Sequence, residues 1–277
     1  MTFAPGASRE GSVASRTQLL ELVKNLRWRE VEASLAAHPS LTAYRDDRGR
    51  NFLHICCGIN VSEKRLVPSQ SVRTVDVLLS AGIDINEEAF REHNWKATPL
   101  WYAVSRGQNL PLAKHLLQRG SDPNHCLWAA AFRDDVAAIT LLLAHGADID
   151  PVAEDETPFL SAVKTSHFRA AEALLERGAN VNVQDSHGMT ALHYMLKKDS
   201  DKRHFRMLLR YGARGDLKNE KGDMPVEIMS RKRDPDFKGM ANELGAGSSS
   251  AACRCRRGFG GPPGSPGRAR TSGLPPG

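Results

Sequence analysis

Paired aliphatic residues followed by a glycine recur five times along the chain, and each glycine is followed by a polar stretch. The segments are VLLSAGIDIN (77–86), HLLQRGSDPN (115–124), LLLAHGADID (141–150), ALLERGANVN (173–182) and MLLRYGARGD (207–216). Their apolar residues have helical spacing, as Ala171, Leu174 and Leu175 show in the fourth segment. The glycine favours a helix end because it adopts left-handed backbone without a Cβ clash. The pattern predicts one amphipathic helix per segment.

A second motif precedes each of these helices. Its copies are NFLH (51–54), TPLW (98–101), HCLW (125–128), TPFL (157–160) and TALH (190–193). Threonine suits a helix N-cap because its hydroxyl accepts a hydrogen bond from an unpaired backbone N–H. Proline suits the next position, where the missing N–H costs nothing. The motif therefore predicts an additional helix before each amphipathic one, so that each repeat is a helix–turn–helix unit.

One such unit cannot bury its own apolar face, whereas stacked units share a continuous core. The motif pair and a period near 33 residues resemble the ankyrin repeat, over roughly residues 49–230 and best over 156–182 and 188–213. The resemblance implies an all-α fold, an ankyrin-repeat solenoid of stacked helix–turn–helix units with short β-turn fingers. It also implies a non-enzymatic protein–protein interaction module, with a partner protein on the concave face made by the fingers and the first helices.

Three departures from a regular repeat predict local differences. Repeat 1 has about nine extra residues between its motifs, which predicts an extended loop over residues 58–72. The connection from Gly120 to His125 is short, so we expect the finger between repeats 2 and 3 to be missing or stunted. The connection from Gly82 to Thr98 is long and predicts an enlarged finger.

The regions flanking the repeats divide the chain into four parts. Residues 15–48 are expected to form an amino-terminal helical cap or degenerate repeat. Residues 49–244 hold about five repeats and carboxy-terminal capping helices, with a short final helix that starts at Asp234-Pro235 and ends at Leu244. Residues 1–14 and the Gly/Pro/Arg-rich segment 245–277 have too few large apolar residues to offset chain entropy, which predicts disorder.

Charge and apolar content narrow the choice of partners. The net charge is +6, but five arginines and no acid lie in residues 245–277, which leaves +1 for residues 1–244. A nearly neutral body attracts phosphate backbones weakly, so nucleic acid is expected, as the alternative function, only through nonspecific contacts of the basic tail. The longest strongly apolar run, residues 139–144, is far shorter than the ~20 residues of a membrane helix.

The amino terminus and the cysteines bear on the compartment. The first residues contain no apolar run typical of a signal peptide, and the five cysteines form no disulfide framework. We therefore expect a cytoplasmic, monomeric protein in a reducing compartment.

The search for catalytic residues favours structural roles. His54 and His193 share a motif position with Trp101, Trp128 and Leu160, and a general base is rarely exchanged for tryptophan. In the ankyrin family this imidazole bonds the backbone of the adjoining turn, and the resemblance implies the same here. The adjacent Cys56 and Cys57 are interpreted as small buried thiols. Neither a metal site nor a cofactor site is predicted, and the chain is expected not to be an enzyme.

Seven residues are candidates for contact with the partner. They are Phe90, His93, Trp95, Lys96, Tyr102, Arg106 and Lys164. Phe90 and Trp95 are the leading anchors, although Trp95 could equally fold back onto repeat 2. The three cations could steer an acidic partner or simply be solvated. Tyr102 could fill the core or touch the partner.

Overall fold

The computed structural model describes residues 15–89, 91–92, 95–152 and 155–250. For residues 91–92, 95–96 and 246–250 it describes the backbone alone. The predictions of disorder for residues 1–14 and for residues 251–277 fall outside the described residues.

Helices dominate the described part of the chain and come in pairs. In chain order they are α1 Arg16–Lys24, α2 Trp28–Ala37, α3 Phe52–Cys57, α4 Pro68–Ser80, α5 Pro99–Ser105, α6 Leu110–Gln118, α7 Leu127–Phe132, α8 Val136–Ala144, α9 Pro158–Lys164, α10 Phe168–Leu175, α11 Ala191–Lys197, α12 Lys202–Arg210, α13 Pro225–Arg231 and α14 Pro235–Ser250. A 3-10 turn, Pro39–Ala43, follows α2. The two strands, β1 Arg91–Glu92 and β2 Trp95–Lys96, have two residues each. The all-α fold is thus confirmed.

The helices stack in two layers that follow the repeats. Helices α3, α5, α7, α9, α11 and α13 each contact the next member of one layer. Helices α4, α6, α8 and α10 do the same in the second layer, and α12 contacts α14. The amino-terminal helices α1 and α2 pack on α3 and α4, respectively. The buried side chains form one cluster that runs from Leu19 to Ala241, with Phe52, Phe159 and Phe205 as its largest fully buried members.

The hydroxyls of Thr98 and Thr157 start their helices as the sequence predicts. Thr98 Oγ1 accepts a hydrogen bond from the backbone N–H of Trp101 at 3.3 Å, and Thr157 Oγ1 accepts one from Leu160 at 3.3 Å. Asn51 takes the same role in repeat 1, where its Oδ1 accepts from the His54 N–H at 3.0 Å. These bonds satisfy N–H groups that a helix leaves unpaired at its first turn.

Asparagines in the turns join neighbouring repeats. Asn86 Nδ2 donates to the Gly120 carbonyl oxygen at 3.3 Å, and Asn86 Oδ1 accepts from the Asp122 N–H at 2.9 Å. Asn182 repeats this arrangement three units later, because its Nδ2 donates to the Gly212 carbonyl oxygen at 3.1 Å. An amide suits this position because it both donates and accepts.

Asp150 occupies the equivalent turn position but lacks the donor. Its Oδ2 accepts from the Asn180 N–H at 2.9 Å, while its Oδ1 is buried with no hydrogen-bond partner among the described residues. Burial raises the pKa of the Asp150 carboxyl. We predict that Asp150→Asn raises the free energy of unfolding by about 1 kcal/mol at neutral pH, because the new amide can donate to the Gly178 carbonyl oxygen as Asn86 does to that of Gly120. Thermal denaturation measures the gain.

The pH dependence and the reverse substitution distinguish this gain in stability from a general effect of removing a negative charge. A raised folded-state pKa means that ionised Asp150 costs stability above that pKa, so the benefit of Asp150→Asn should shrink as the solution is acidified. The reverse change, Asn182→Asp, should lower the melting temperature at neutral pH. If Asp150→Asn melts at or below the wild-type temperature, the carboxylate is already satisfied.

The two irregular connections near Gly82 and Gly120 have the predicted character. Strands β1 and β2 form an antiparallel hairpin in which Arg91 pairs with Lys96 and Glu92 with Trp95. The Ala89 N–H extends this ladder by donating to the Ala97 carbonyl oxygen at 3.1 Å. Between α6 and α7 the chain makes only a short turn, without a strand. The enlarged finger and its stunted neighbour are therefore confirmed.

Two predicted boundaries are wrong. The extended loop of repeat 1 does not span residues 58–72, because α4 begins at Pro68 and has 13 residues. Proline at the first helical position started this helix earlier than the apolar spacing indicated. The final helix continues beyond Leu244 to Ser250, so residues 245–250 are not an irregular tail. Glycine disfavours helix there, but extending an existing helix costs much less than nucleating one.

Candidate functional site

The carboxyl ends of the first helices bring equivalent residues of successive repeats into one row. Counted from the first residue of each motif, the same position is occupied by Ser105, Phe132, Lys164 and Lys197, and the next by Arg106, Arg133, Thr165 and Lys198. These residues lie at the ends of α5, α7, α9 and α11, which contact one another in that order. We call these eight residues the helix-end row.

Phe132 is the exposed aromatic of the helix-end row. Phe132 is 57% exposed. It is the aromatic member of the three large apolar residues that are exposed in the described part of the chain. Its ring meets the His167 ring edge-on, with centroids 6.1 Å apart. An exposed aromatic ring beside exposed cations has the composition of an interface anchor. The sequence reasoning missed Phe132, although an alignment of the repeats places it in register with Lys164.

Four of the five cations of the helix-end row have no ion pair within the described residues. Of these four, Lys198 donates a hydrogen bond to the Lys164 carbonyl oxygen. Arg106, Arg133 and Lys197 are all exposed. The carboxylates that follow them are already engaged: Asp134 Oδ1 accepts from the Ala170 N–H at 2.7 Å, and Asp199 pairs with the Lys232 ammonium at 2.8 Å. The row therefore presents uncompensated positive charge.

Lys164 belongs to the same row but is held by its neighbours. Its Nζ lies 3.4 Å from Glu156 Oε1, 4.0 Å from Asp185 Oδ2 and 4.8 Å from the centre of the Tyr194 ring. The Tyr194 hydroxyl donates to Asp185. Burial opposes ionisation of Asp185, yet the hydrogen bonds from Tyr194 and from backbone N–H groups lower the pKa of its carboxyl. Lys164 is therefore paired within the array, and its contact with a partner stays a prediction.

A small cavity adjoins the amino-terminal end of the row. It has a volume of about 290 Å³, and its lining includes Tyr44, Asp46, Arg50, His54, Tyr102 and Arg106. The Arg50 guanidinium bonds the Asp46 carboxylate at 2.7 Å, so this carboxylate is already paired. The Arg106 guanidinium has no ion pair among the described residues, and its charge is therefore uncompensated at the edge of the cavity.

His54, at the back of this cavity, connects repeat 1 to the following finger. Its Nδ1 accepts from the Asn51 N–H at 3.3 Å, and its Nε2 donates to the Glu87 carbonyl oxygen at 2.8 Å. His193 makes the corresponding bonds with the Thr190 N–H and the Asp223 carbonyl oxygen, both at 3.1 Å. This geometry confirms the structural role of both imidazoles. Burial lowers the pKa of His54 to about 4, so the ring is neutral at pH 7.

This buried imidazole predicts an acid-sensitive fold. In the unfolded chain His54 takes up a proton near pH 6.5, whereas the folded chain resists protonation until about pH 4. The stabilisation is therefore full above pH 6.5 and is lost as the pH falls through 4, by at most about 3 kcal/mol. Chemical denaturation at a series of pH values measures this loss.

The matched variants are His54→Gln and His187→Gln. His187 is exposed and pairs only with the exposed Glu220. His54→Gln should flatten the fall in stability between pH 6.5 and 4, and His187→Gln should leave it unchanged. Equal slopes in both variants would assign the acid sensitivity to other groups.

Comparison with known proteins agrees with the arrangement of the helices in stacked repeats. Sequence models of the ankyrin repeat match residues 95–126 as a single repeat and residues 126–219 as three copies. In fold, the chain is similar to the ankyrin repeat domain of Bcl-3, with a TM-score of 0.64 and 23% identity over 81% of this chain and 97% of that one. The human ASB11 ankyrin repeat domain gives 0.63 and 21%, over 81% and 96%. The chain contains ankyrin repeats over residues 95–219.

The curated relatives are much longer than the part they share with this ankyrin-repeat chain. The mouse (Mus musculus) B-cell lymphoma 3 protein homolog is 36% identical over 114 residues, which is 40% of this chain and 25% of the relative. Mouse ankyrin repeat and SOCS box protein 14 is 31% identical over 147 residues, 50% of this chain and 20% of the relative. The chain thus spans a quarter or less of the length of these relatives.

The other contact candidates of the ankyrin array have diverse positions. Phe90 and His93 lie outside the described residues. Trp95 and Lys96 form β2 on the finger, where only their backbone is described. Tyr102 is 4% exposed, and its ring packs edge-on against the His54 and Trp101 rings. Of its two possible roles, this burial supports the core role, and the residue also lines the small cavity beside Arg106.

The thiols of the ankyrin array have no reactive character. Cys56, Cys57 and Cys126 are fully buried, and burial raises the pKa of Cys56 and of Cys126 to about 12. A thiol is nucleophilic only as a thiolate, so these three are core residues. Within the described ranges, no cluster of His, Cys, Asp or Glu has the arrangement of a metal site. None of the described helices is long and apolar enough to span a bilayer.

Proposed function

We propose that this chain is a non-enzymatic interaction module that binds a partner protein on its finger and first-helix face. The ankyrin repeats and the relatives that carry them support a protein-binding role. The observation that carries the choice of face is Phe132, which stands exposed in the middle of the helix-end row, between Arg106 and Lys197. A central aromatic ringed by polar groups is the usual composition of a binding hot spot.

Several observations support binding rather than catalysis. The imidazoles of His54 and His193 are committed to backbone groups of the next turn, and the buried thiols are protonated. Lys164, Tyr194 and Asp185 form a closed network in which each polar group already has a partner. These groups hold the repeats together, and they leave the helix ends and the finger for a partner.

The test is affinity capture with the full chain, followed by titration of the captured protein against variants. Phe132→Ala should weaken binding at least about tenfold, because hot-spot aromatics dominate interface energies. The melting temperature should stay nearly constant, since more than half of the side chain is already in solvent. Trp95→Ala tests the finger in the same way.

Val67→Ala is the matched control. Val67 is 55% exposed and lies in repeat 1, in the loop between α3 and α4, and it is not one of the residues of the helix-end row. Its truncation should change neither affinity nor stability. A partner that binds Phe132→Ala and Trp95→Ala as tightly as the wild type would exclude this face, and turnover of a substrate by the purified chain would exclude the non-enzymatic proposal.

A further inference from the structure

We propose that the segment recognised by the helix-end row is an extended, acidic stretch of a partner protein, with one carboxylate seated in the cavity beside Arg106. This inference rests on the proposed function and specifies the chemistry of the partner. It depends on three features of the same surface: its uncompensated charges, their spacing and the shape of the cavity.

The first feature is the uncompensated positive charge of the helix-end row. Arg106 and Arg133 directly follow α5 and α7, and Lys197 is the last residue of α11. All three are exposed and have no ion pair among the described residues. Elsewhere about half of the described cations have an ion pair, as Arg210 has with Glu172 at 3.2 Å and Arg214 with Asp216 at 2.7 Å. An acidic ligand would supply the missing counter-charges, and complementary potentials of this kind favour encounter and register.

The spacing of these charges fits an extended chain. Neighbouring packed helices lie roughly 8–10 Å apart, and an extended chain rises about 3.3 Å per residue. Moving from one first helix to the next therefore takes about three residues of the ligand. Carboxylates three residues apart would face α5 and α7, and one about six residues further along would face α11, beyond α9 with its engaged Lys164.

The cavity gives the ligand a fixed end. About 290 Å³ of space is walled by Tyr44 and Tyr102 and bordered by Arg106 and Arg50. Arg50 is already paired with Asp46 and His54 is neutral, so Arg106 supplies the available charge. The volume accommodates a glutamate side chain, and its apolar walls would strengthen the contact between carboxylate and guanidinium by excluding water.

A protein segment fits these observations better than a nucleic acid. Residues 1–244 carry a net charge of only +1, and the uncompensated cations of the row are few and regularly spaced. Nucleic-acid binding draws on dense positive charge that follows a phosphate backbone. The cavity is also at the lower limit for a small-molecule pocket, which suits one side chain.

Fluorescence anisotropy with the full chain tests the proposal. The probe is a labelled peptide of about twelve residues with glutamate at every third position and glycine, serine or threonine between. A peptide of the same composition with its glutamates contiguous, and a single-stranded RNA of similar length, are compared with it. We expect the spaced peptide to bind most tightly, and its affinity to fall with added salt.

Two triple variants with the same change of net charge locate the site. The first combines Arg106→Gln, Arg133→Gln and Lys197→Gln. The second combines Lys114→Gln, Arg169→Gln and Lys238→Gln, which remove exposed cations from α6, α10 and α14. The first should weaken the spaced peptide about tenfold, which corresponds to three exposed charge pairs of modest strength. The second should change the affinity less than about twofold.

Four results would overturn the proposal: no binding of the spaced peptide, equal losses in both triple variants, equal binding of the contiguous peptide, or tighter binding of the RNA with the same loss on the first triple variant. The partner obtained by affinity capture separates this proposal from the proposed function. If Phe132→Ala releases that partner and the first triple variant does not, the interaction face stands and the acidic ligand is excluded.

Discussion

Replacing Gly107 with alanine is expected to separate repeats 1 and 2 and to lower the free energy of unfolding by about 3 kcal/mol or more. Gly107 lies in the turn between α5 and α6, where its N–H donates to the Tyr102 carbonyl oxygen at 2.9 Å. A Cβ at this position would overlap the backbone carbonyl oxygen of Cys57 in the preceding repeat. Backbone cannot move aside as a flexible side chain can, so the two repeats must shift apart and lose packing.

Gly239→Ala is the matched control for this substitution. Gly239 is exposed within α14, and a Cβ built there meets no atom within 4 Å. Alanine should stabilise that helix by about 0.5–1 kcal/mol, because glycine is a poor helix former. Urea denaturation of both variants gives the comparison. A Gly107→Ala protein that unfolds at the wild-type urea concentration would show that the repeats have room at this contact.

Leu174→Ala is expected to destabilise the array by about 2–5 kcal/mol. Leu174 is fully buried in α10, which packs against α9 of its own repeat and against α7 and α8 of the preceding one. Truncation removes apolar area from the shared core and leaves a cavity that the surrounding helices fill only in part. Because stacked repeats depend on their neighbours, the loss should affect the whole array and not only repeat 4.

Leu143→Ala provides the corresponding control. Leu143 lies on α8 and is only partly buried, so its truncation should cost clearly less than that of Leu174. The two melting temperatures, recorded under the same conditions, compare the loss of stability in the two variants. An unchanged melting curve for Leu174→Ala would contradict its place in the continuous core.

The predictions that succeeded were those of local origin. A threonine N-cap, a proline in the first turn and a glycine at the helix end act within a few residues of their own position, so the pairs α5–α6 and α9–α10 follow from the motifs. The long and the short connection could also be predicted, because the number of residues between two motifs limits what the turn between them can contain. The end of the final helix was predicted wrongly, at Leu244 and not at Ser250, because extending an existing helix costs little.

The contact residues were predicted less well, because contacts join parts of the chain that are distant in sequence. Tyr102 follows a motif in the same way as Tyr194, yet it is buried against His54 of the preceding repeat. Phe132 occupies the position of Lys164, but its exposure depends on how α7 packs between its neighbours. A repeat alignment would have marked Phe132 as a candidate, although it could not have shown that the ring is open to solvent.

By itself, then, the sequence determined a stack of helix pairs, where the first helices of the repeats start, and which connections are long or short, because capping, helical periodicity and spacing act locally. Only the tertiary structure decided which charges are available to a ligand. Lys164 and Arg106 both lie at first-helix ends, but repeat 5 brings Tyr194 and Asp185 to Lys164, while no carboxylate among the described residues pairs with Arg106. Compensation of a charge depends on groups that only the stacking of repeats brings within a few ångströms.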